Sequence, residues 1–372
     1  MLFDNLLIAY VLMALVVAMT VSFLMTPVVK TFAYKVGAID VPKDNRRMHK
    51  EPIPRLGGLA IFIGFMVSIF LFVPITPEMK SILLGAVIIV VLGVVDDIMA
   101  LPAMLKFVIQ IIAASIPATH GVTILAFSNP NIFSDSLYWV LGSLSVPFTV
   151  IWIVAITNAV TIIDGLDGLA NGVSSISATT MLVIALMVNR EVAVVMAALV
   201  GACVGFMPYN LNPAKMFMGD TGATFLGFIL ATMSIQGLFK YYAVISFVVP
   251  FLILGLPIFD TAFAFIRRIA HGQSPMHADR SHIHHRLIDM GLNQKQAVAT
   301  LYVISAILGL SAVVLTTGGE EKAMLLFAAL CIVAVVAARV VFPKEVQQEV
   351  HNELEELKHH DHKHDHKKDE DK

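Results

Sequence analysis

Apolar residues in this chain gather into long unbroken blocks, with polar residues confined to short segments between them. A helix that crosses a bilayer needs about 20 mostly apolar residues. Eleven blocks approach that length, near 5–26, 56–74, 80–95, 102–120, 138–157, 170–188, 192–207, 222–239, 241–265, 297–316 and 323–341. The pattern predicts an all-α polytopic integral membrane protein of about eleven transmembrane helices. Thr26-Pro27 is read as the end of the first helix. That block lacks a basic flank before it and a small-residue cleavage pattern after it, so it reads as a retained helix rather than a signal peptide. The longest outer connection, 120–137, alternates weakly over Val122–Phe127 and then turns at Ser128-Asn-Pro-Asn131, which suits a short hairpin. Tyr138 and Trp139 follow, as expected of residues at a membrane interface. Residues 1–343 are read as one transmembrane catalytic domain. Residues 344–372 form a His/Lys/Asp-rich tail whose low complexity argues against a packed core.

Composition agrees with the blocks: 58% of the 372 residues are hydrophobic and 14% are charged, and the mean hydropathy is +0.82. These values exclude an ordinary soluble domain. The net charge of −2 says little, but its distribution sets an orientation. Lys30, Lys35, Lys43, Arg46, Arg47, Lys50 and Arg55 crowd one connection, and Arg267, Arg268, Arg280, Arg286 and Lys295 another. The opposite connections hold Lys80, Arg190, Lys240 and Lys322 singly. By the positive-inside rule the basic loops are cytoplasmic, the N-terminus lies outside, and eleven spans bring the C-terminus to the cytoplasm. Cys203 and Cys331 both fall inside apolar blocks, so neither a disulfide framework nor a metal motif is implied.

Against this background, carboxylates at the ends of spans require explanation, because a charge at bilayer depth costs several kcal/mol. Asp164-Gly-Leu-Asp167-Gly ends the fifth block. Gly165 and Gly168 remove side chains there, which lets a backbone come close to a ligand. Asp96-Asp97 ends the third block, where adjacent carboxylates repel unless a cation sits between them. Lys106 follows within a few turns and suits an anion contact or a snorkelling position. Asp220 stands between glycines at the start of the eighth block, where a helix N-terminus offers amides to phosphate and the carboxylate can hold a divalent cation. Phe217 just before it can stack on a base or pack. The connection Arg280-Ser-His282-Ile-His284-His285-Arg286 and the basic run holding His49, Lys50 and Arg55 suit phosphate recognition. One topology carries all these groups to cytoplasmic ends. An oxygen-rich site beside phosphate-friendly helix ends implies Mg²⁺ and phosphoryl transfer.

In combination, the stretches GAIDVPKDNRRMHKEPIPRLGG, LGVVDDIMALP, NAVTIIDGLDGLANGV, YNLNPAKMFMGDTGA, PIFDTAFAFIRR and DRSHIHHRL closely resemble the polyprenyl-phosphate N-acetylhexosamine-1-phosphate transferase family, over residues 20–310. The IPRLGG and HIHHR forms look like the branch that uses UDP-GlcNAc in teichoic acid or surface polysaccharide synthesis, O-antigen included. The resemblance implies transfer of GlcNAc-1-phosphate from UDP-GlcNAc to undecaprenyl phosphate, with release of UMP, at the cytoplasmic face of a bacterial plasma membrane. It implies Mg²⁺, with Mn²⁺ as a substitute, a homodimer, and no nucleic-acid partner.

Carried over position by position, Asp220 is the implied Mg²⁺ ligand. Asp96 or Asp97 binds or deprotonates the lipid phosphate, and Asp164 and Asp167 line the nucleotide-sugar and metal site. Asn210 and Phe217 hold uracil. His282, His284, His285 and Arg286 contact the pyrophosphate or sugar, with Arg280 nearby. Asn158, Lys106, His49 and Arg55 complete the expected substrate contacts. Thr161 stands where family members carry Asn, at a position tied to metal or nucleotide, and Ala223 where many carry Ser. Direct attack of the lipid phosphate on the β-phosphorus is expected; a two-step route through a covalent aspartyl intermediate stays open. Phospho-MurNAc-pentapeptide transfer is the alternative within the enzyme class. An ion-coupled transporter, or a scaffold or metal sensor using the tail, are the alternatives outside it.

Overall fold

A computed structural model describes residues 5–42, 51–128, 138–239, 248–270 and 282–317. The blocks fold as helices: α1 (Asn5–Val36), α2 (Gly57–Phe72), α3 (Pro77–Met99), α4 (Ala103–Thr119), α5 (Ser145–Ile162), α6 (Leu169–Val188), α7 (Arg190–Asn210), α8 (Gly219–Ser234), α9 (Val248–Ile253), α10 (Gly255–Ala270), α11 (Ile283–Asp289) and α12 (Gln294–Thr317). Two antiparallel strand pairs complete the described chain: β1 (Ile39–Asp40) with β2 (Ile53–Pro54), and β3 (Ala126–Ser128) with β4 (Tyr138–Val140). Six helical segments are long and apolar enough to cross a membrane: α1, α3, Gly142–Ile162, α6, α7 and α12. The chain is therefore a polytopic helical membrane protein. The expected eleventh span, 323–341, and the tail, 344–372, lie outside the described residues.

Several boundaries differ from the sequence reading, and the differences have physical causes. Pro27 does not end α1, which continues to Val36. Proline is tolerated within membrane helices because the freed carbonyl can be satisfied by neighbouring groups. The extension carries Lys30 and Tyr34 onward from the apolar part of the helix. Helix α3 runs to Met99, so Asp96 and Asp97 sit in its last turn rather than on a loop tip. The fifth helix begins at Ser145 because Tyr138–Val140 is taken up in the β3–β4 hairpin. The ninth block is split between α9 and α10, and the histidine connection contains the short helix α11.

Helix α8 is the hub. It packs on α5, α3, α2 and α6, and every one of its residues except Asp220 is buried. A helix that is apolar all round belongs in such a position. Its N-terminal end is reached through glycine contacts. A Cβ on Gly58 would overlap the backbone of Gly222, and one on Gly93 would overlap Thr221. The amides of Gly57 and Gly58 donate to the carbonyls of Phe217 and Met218 at 3.0 and 2.9 Å. Gly57-Gly58 thus brings the chain close to its own backbone rather than to a ligand. Small residues do the same work further along the bundle, where Gly201 and Gly205 of α7 meet the carbonyls of Leu15 and Met19 on α1.

Because the Gly58–Gly222 contact leaves no space for a side chain, Gly58→Val is expected to cost at least about 1–3 kcal/mol. Size-exclusion chromatography and thermal melting in detergent should show a less stable or aggregated protein. A variant that melts like wild type would contradict the packing described here.

Candidate active site

The two adjacent aspartates of α3 face different partners. Asp97 accepts the Asp220 amide at 3.0 Å through Oδ1, and the Thr221 amide at 3.0 Å and Thr221 hydroxyl at 2.7 Å through Oδ2. The first amides of a helix have no partner within it and carry partial positive charge. Asp97 therefore caps α8 from another helix. Gly219, at φ 72°, starts α8, and a Cβ there would collide with the Asp97 carboxylate. Asp96, one residue earlier, accepts the Leu101 amide at 2.7 Å through Oδ1 and the Lys106 ammonium at 3.0 Å through Oδ2. Lys106 also reaches Asp220 Oδ2 at 3.1 Å. One lysine thus bridges a carboxylate of α3 and one of α8.

The Asp164–Asp167 turn joins α5 to α6. Asp167 Oδ2 accepts from Asn212 Nδ2 at 2.9 Å and from the Ala214 amide at 3.1 Å, which ties this turn to the α7–α8 connection. Asn212 Nδ2 also donates to Gln294 Oε1 at 2.7 Å, bringing in the start of α12. Tyr302 adds a 2.6 Å bond to the Gly168 carbonyl. Asp164 is different: among the described residues, no hydrogen bond or ion pair holds its carboxylate. Burial pushes its carboxyl up to about 7, and the negative charges of Asp220, Asp97 and Asp167 add to that shift, while Arg55 opposes it.

A cavity of about 880 Å³ opens beside these groups; Asp96, Asp97 and Lys106 are not among its lining residues and stand behind Asp220. Of the residues the sequence nominated, it is lined by Arg55, Thr161, Asp164, Asp167, Asn210, Phe217, Asp220 and His285. Thr161 donates its hydroxyl to the Thr157 carbonyl at 3.0 Å, which leaves its oxygen lone pairs available. Phe217 is fixed through its backbone, which donates to Pro54 and accepts from Gly57. Asn210 donates through Nδ2 to the Met216 carbonyl at 3.1 Å. Lys30, Tyr34 and Lys215 also line the cavity and were not nominated. The signal for Lys30 and Tyr34 was their spacing of four, one helical turn, but reading Pro27 as a helix end concealed it.

Other nominated residues lie elsewhere. Asn158 donates to Gln110 Oε1 at 2.7 Å and to the Val154 carbonyl at 2.8 Å, which makes it an α4–α5 tie and not part of the cavity wall. The histidines divide three ways. His282 Nδ1 sits 3.1 Å from Asp260 Oδ2, while the Ile283 amide donates to Asp260 Oδ1 at 2.8 Å, anchoring α11 to α10. His284 is buried and wedged against Gly165, whose missing side chain makes the space. Burial and the nearby His285 push His284 down to about 4, so it is neutral at pH 7. His285 alone of the three faces the cavity. Arg286 is exposed, with its guanidinium 5.5 Å from the Phe263 ring centroid. His49 and Arg280 lie outside the described residues.

The donor set fits a divalent cation completed by substrate. Among the described residues there is no group of three or more His, Cys, Asp or Glu side chains close enough to form a metal cage. Mg²⁺ does not require one, since it usually takes one or two carboxylates, with waters and substrate phosphates filling the rest. Asp164, half-buried with no hydrogen bond or ion pair on its carboxylate among the described residues, and Asp220, which lies against Lys106 and Asp96, would supply that minimal set; Asp97 is spent on its cap.

The profile of glycosyl transferase family 4 matches residues 79–238, which include every carboxylate discussed above except Asp260. The chain is 43% identical to a probable undecaprenyl-phosphate N-acetylglucosaminyl 1-phosphate transferase of Bacillus subtilis, over 82% of this chain and 85% of that protein. It is 32% identical to a decaprenyl-phosphate N-acetylglucosaminephosphotransferase of Mycolicibacterium smegmatis, over 79% of each. It is also 32% identical to an undecaprenyl-phosphate alpha-N-acetylglucosaminyl 1-phosphate transferase of Thermotoga maritima, over 71% of this chain and 78% of that one.

The Asp164 shift has a measurable consequence. The unfolded carboxyl loses its proton near pH 4 and the folded one near 7. Between those values the folded state keeps a proton that the unfolded state has released, so stability falls as pH rises, and above 7 the loss is complete. With metal chelated, Asp164→Asn is expected to melt above wild type at pH 8 and to lose that advantage near pH 4. Equal melting temperatures at both pH values would contradict an Asp164 carboxyl held protonated by its surroundings.

Proposed function

The chain belongs to glycosyl transferase family 4, and from that premise we propose that it transfers GlcNAc-1-phosphate from UDP-GlcNAc to undecaprenyl phosphate. The observation that carries this reading is the cavity itself. It gathers two under-partnered carboxylates, Asp164 and Asp220, with an aromatic ring, Phe217, a buried amide, Asn210, and the cations Lys30, Arg55 and Lys215. That set suits a nucleotide pyrophosphate better than a transported ion, whose site would be expected at mid-span in broken helices. The three relatives are all named for an N-acetylglucosamine phosphate group and a polyprenyl phosphate. Those names favour GlcNAc over a MurNAc-pentapeptide donor.

In this reading an oxygen of the acceptor phosphate attacks the β-phosphorus of the donor. The bond from that phosphorus to the bridging oxygen breaks, and UMP leaves with the electron pair. Asp164 and Asp220, with Thr161 beside them, would hold Mg²⁺. Bound there, the ion supplies positive charge to the pyrophosphate. Phe217 offers a face for uracil to stack on, and Asn210 Oδ1 remains to accept the uracil N–H, since Nδ2 is already engaged. His285, Arg55 and Lys30 bear on the phosphates and sugar. Asp167 shapes the turn through Asn212 and Ala214. Asp97 has both oxygens bonded at the α8 terminus, which supports direct attack over a covalent intermediate on that residue.

The same reading places the Lys- and Arg-rich connections and the cavity on the cytoplasmic side of a bacterial membrane, with eleven spans in all. It makes 344–372 a dispensable tail. The product suits the first membrane step of teichoic acid or another surface polysaccharide.

The test is transfer in detergent, with undecaprenyl phosphate, Mg²⁺ and radiolabelled UDP-GlcNAc, counting the lipid fraction. Label in lipid with release of UMP is expected. Asp220→Ala should cut the rate about 10²–10³-fold. Asn210→Ala should raise KM for UDP-GlcNAc about tenfold, the effect of one lost hydrogen bond. No lipid label from folded protein would contradict the proposal.

A further inference from the structure

Lys106 is in a place its own helix disfavours. It lies within the first turns of α4, which begins at Ala103. A cation there faces the positive end of the helix dipole. What holds it is the pair of carboxylates on other helices, with Nζ 3.0 Å from Asp96 Oδ2 and 3.1 Å from Asp220 Oδ2. Its side chain is 30% exposed and Asp220's is 32% exposed, so neither end of the ion pair is sealed off; Asp220 lines the cavity, and Lys106 stands behind it, outside the lining residues. Asp220 thus shares one ammonium with Asp96, and that cation, on a flexible stem, occupies the carboxylate implicated above in metal binding.

Two cations on one carboxylate repel each other. A divalent ion bound to Asp220 at the short distances Mg²⁺ demands, about 2.0–2.1 Å, would sit close to the ammonium. A divalent ion that takes Asp220 Oδ2, the oxygen the lysine holds, would displace the ammonium from Asp220. The ammonium need not leave Asp96, whose Oδ1 is fixed by the Leu101 amide while Oδ2 keeps its lysine contact.

We propose that Lys106 is a positioning residue that occupies Asp220 in the metal-free site, is displaced from it by the divalent cation, and is thereby presented, still on Asp96, to the acceptor's phosphate. This rests on the metal and acceptor assignments above and adds a coupling between them. Lysine competes with metal, and a phosphate that takes the lysine relieves the competition. By reciprocity, metal binding and acceptor binding each tighten the other through Lys106.

The experiment measures Mn²⁺ binding to the detergent-solubilised full chain by electron paramagnetic resonance of free Mn²⁺, without donor. Asp220→Asn serves as the blank for sites elsewhere, the His-rich tail included. Lys106→Gln is expected to bind Mn²⁺ at least about fivefold tighter than wild type, the low end of measured site coupling, while Lys106→Arg stays near wild type. Undecaprenyl phosphate should tighten Mn²⁺ binding to wild type and leave Lys106→Gln unchanged. Lys106→Met provides a second neutral variant should the Gln variant fail to fold. A purely structural role for Lys106 predicts equal or weaker Mn²⁺ binding in the neutral variants, and that result would overturn the proposal. An equal effect of the lipid on wild type and the neutral variants would overturn the coupling. No binding above the Asp220→Asn blank in any variant would remove the metal assignment itself, whereas lipid labelling in the transfer assay would show separately whether the donor and acceptor reading survives.

Discussion

Asp97 reaching across from α3 to the free amides of α8 is the contact on which the rest of the site depends. Those amides would otherwise stand unpaired at the end of the most buried helix of the bundle, and an unsatisfied buried donor costs about 1–3 kcal/mol. The three bonds from Asp220 and Thr221 to one carboxylate fix where α8 starts and therefore where the Asp220 side chain emerges. Gly93 on α3 and Gly58 on α2 let the two neighbouring helices close on the same point. Architecture and chemistry meet within two residues: the backbone of Asp220 is part of a helix cap, and its carboxylate is part of the cavity wall.

The same economy recurs around the cavity. Asp167 is the second carboxylate of its motif, yet its Oδ2 is spent on Asn212 and Ala214, so it braces the turn from which Asp164 enters the cavity wall. His282 and His284 hold α11 against Asp260 and Gly165, and His285 is left to face the cavity. In each group some residues build the scaffold, and among the carboxylates some are left under-partnered. Those left under-partnered, Asp164 and Asp220, combine incomplete pairing with access to the cavity, as expected where a ligand must complete the charge balance.

Much of this was legible in the chain. Apolar blocks gave most helices to within a few residues, because a helix in lipid must be long and apolar whatever its neighbours. Span-end carboxylates marked the site, because charge is costly there. Roles within a motif were less legible. DGLDG and DD present equivalent carboxylates in one dimension, and only the positions of Asn212, Ala214 and Thr221 in space separate a brace from a ligand. Glycine misled in a similar way: the space left at Gly165 is taken by His284 of the same chain. Asn158 looked like a contact because it precedes the motif, but it is turned toward Gln110 on α4. Lys30 and Tyr34 were missed because a local rule about proline was overridden by the membrane setting.

The division between Asp97 and Asp220 can be tested most directly by thermal unfolding of Asp97→Asn and Asp220→Asn in detergent with metal chelated. An amide at 97 turns a donor toward donors at the α8 terminus, so that variant should melt several degrees below wild type. An amide at 220 loses only a partly exposed ion pair and relieves repulsion among neighbouring carboxylates, so it should melt at or above wild type. If Asp97→Asn melts like wild type, or if Asp220→Asn is the more damaging of the two, α8 is not held by the Asp97 cap and the account of how the site is positioned is wrong.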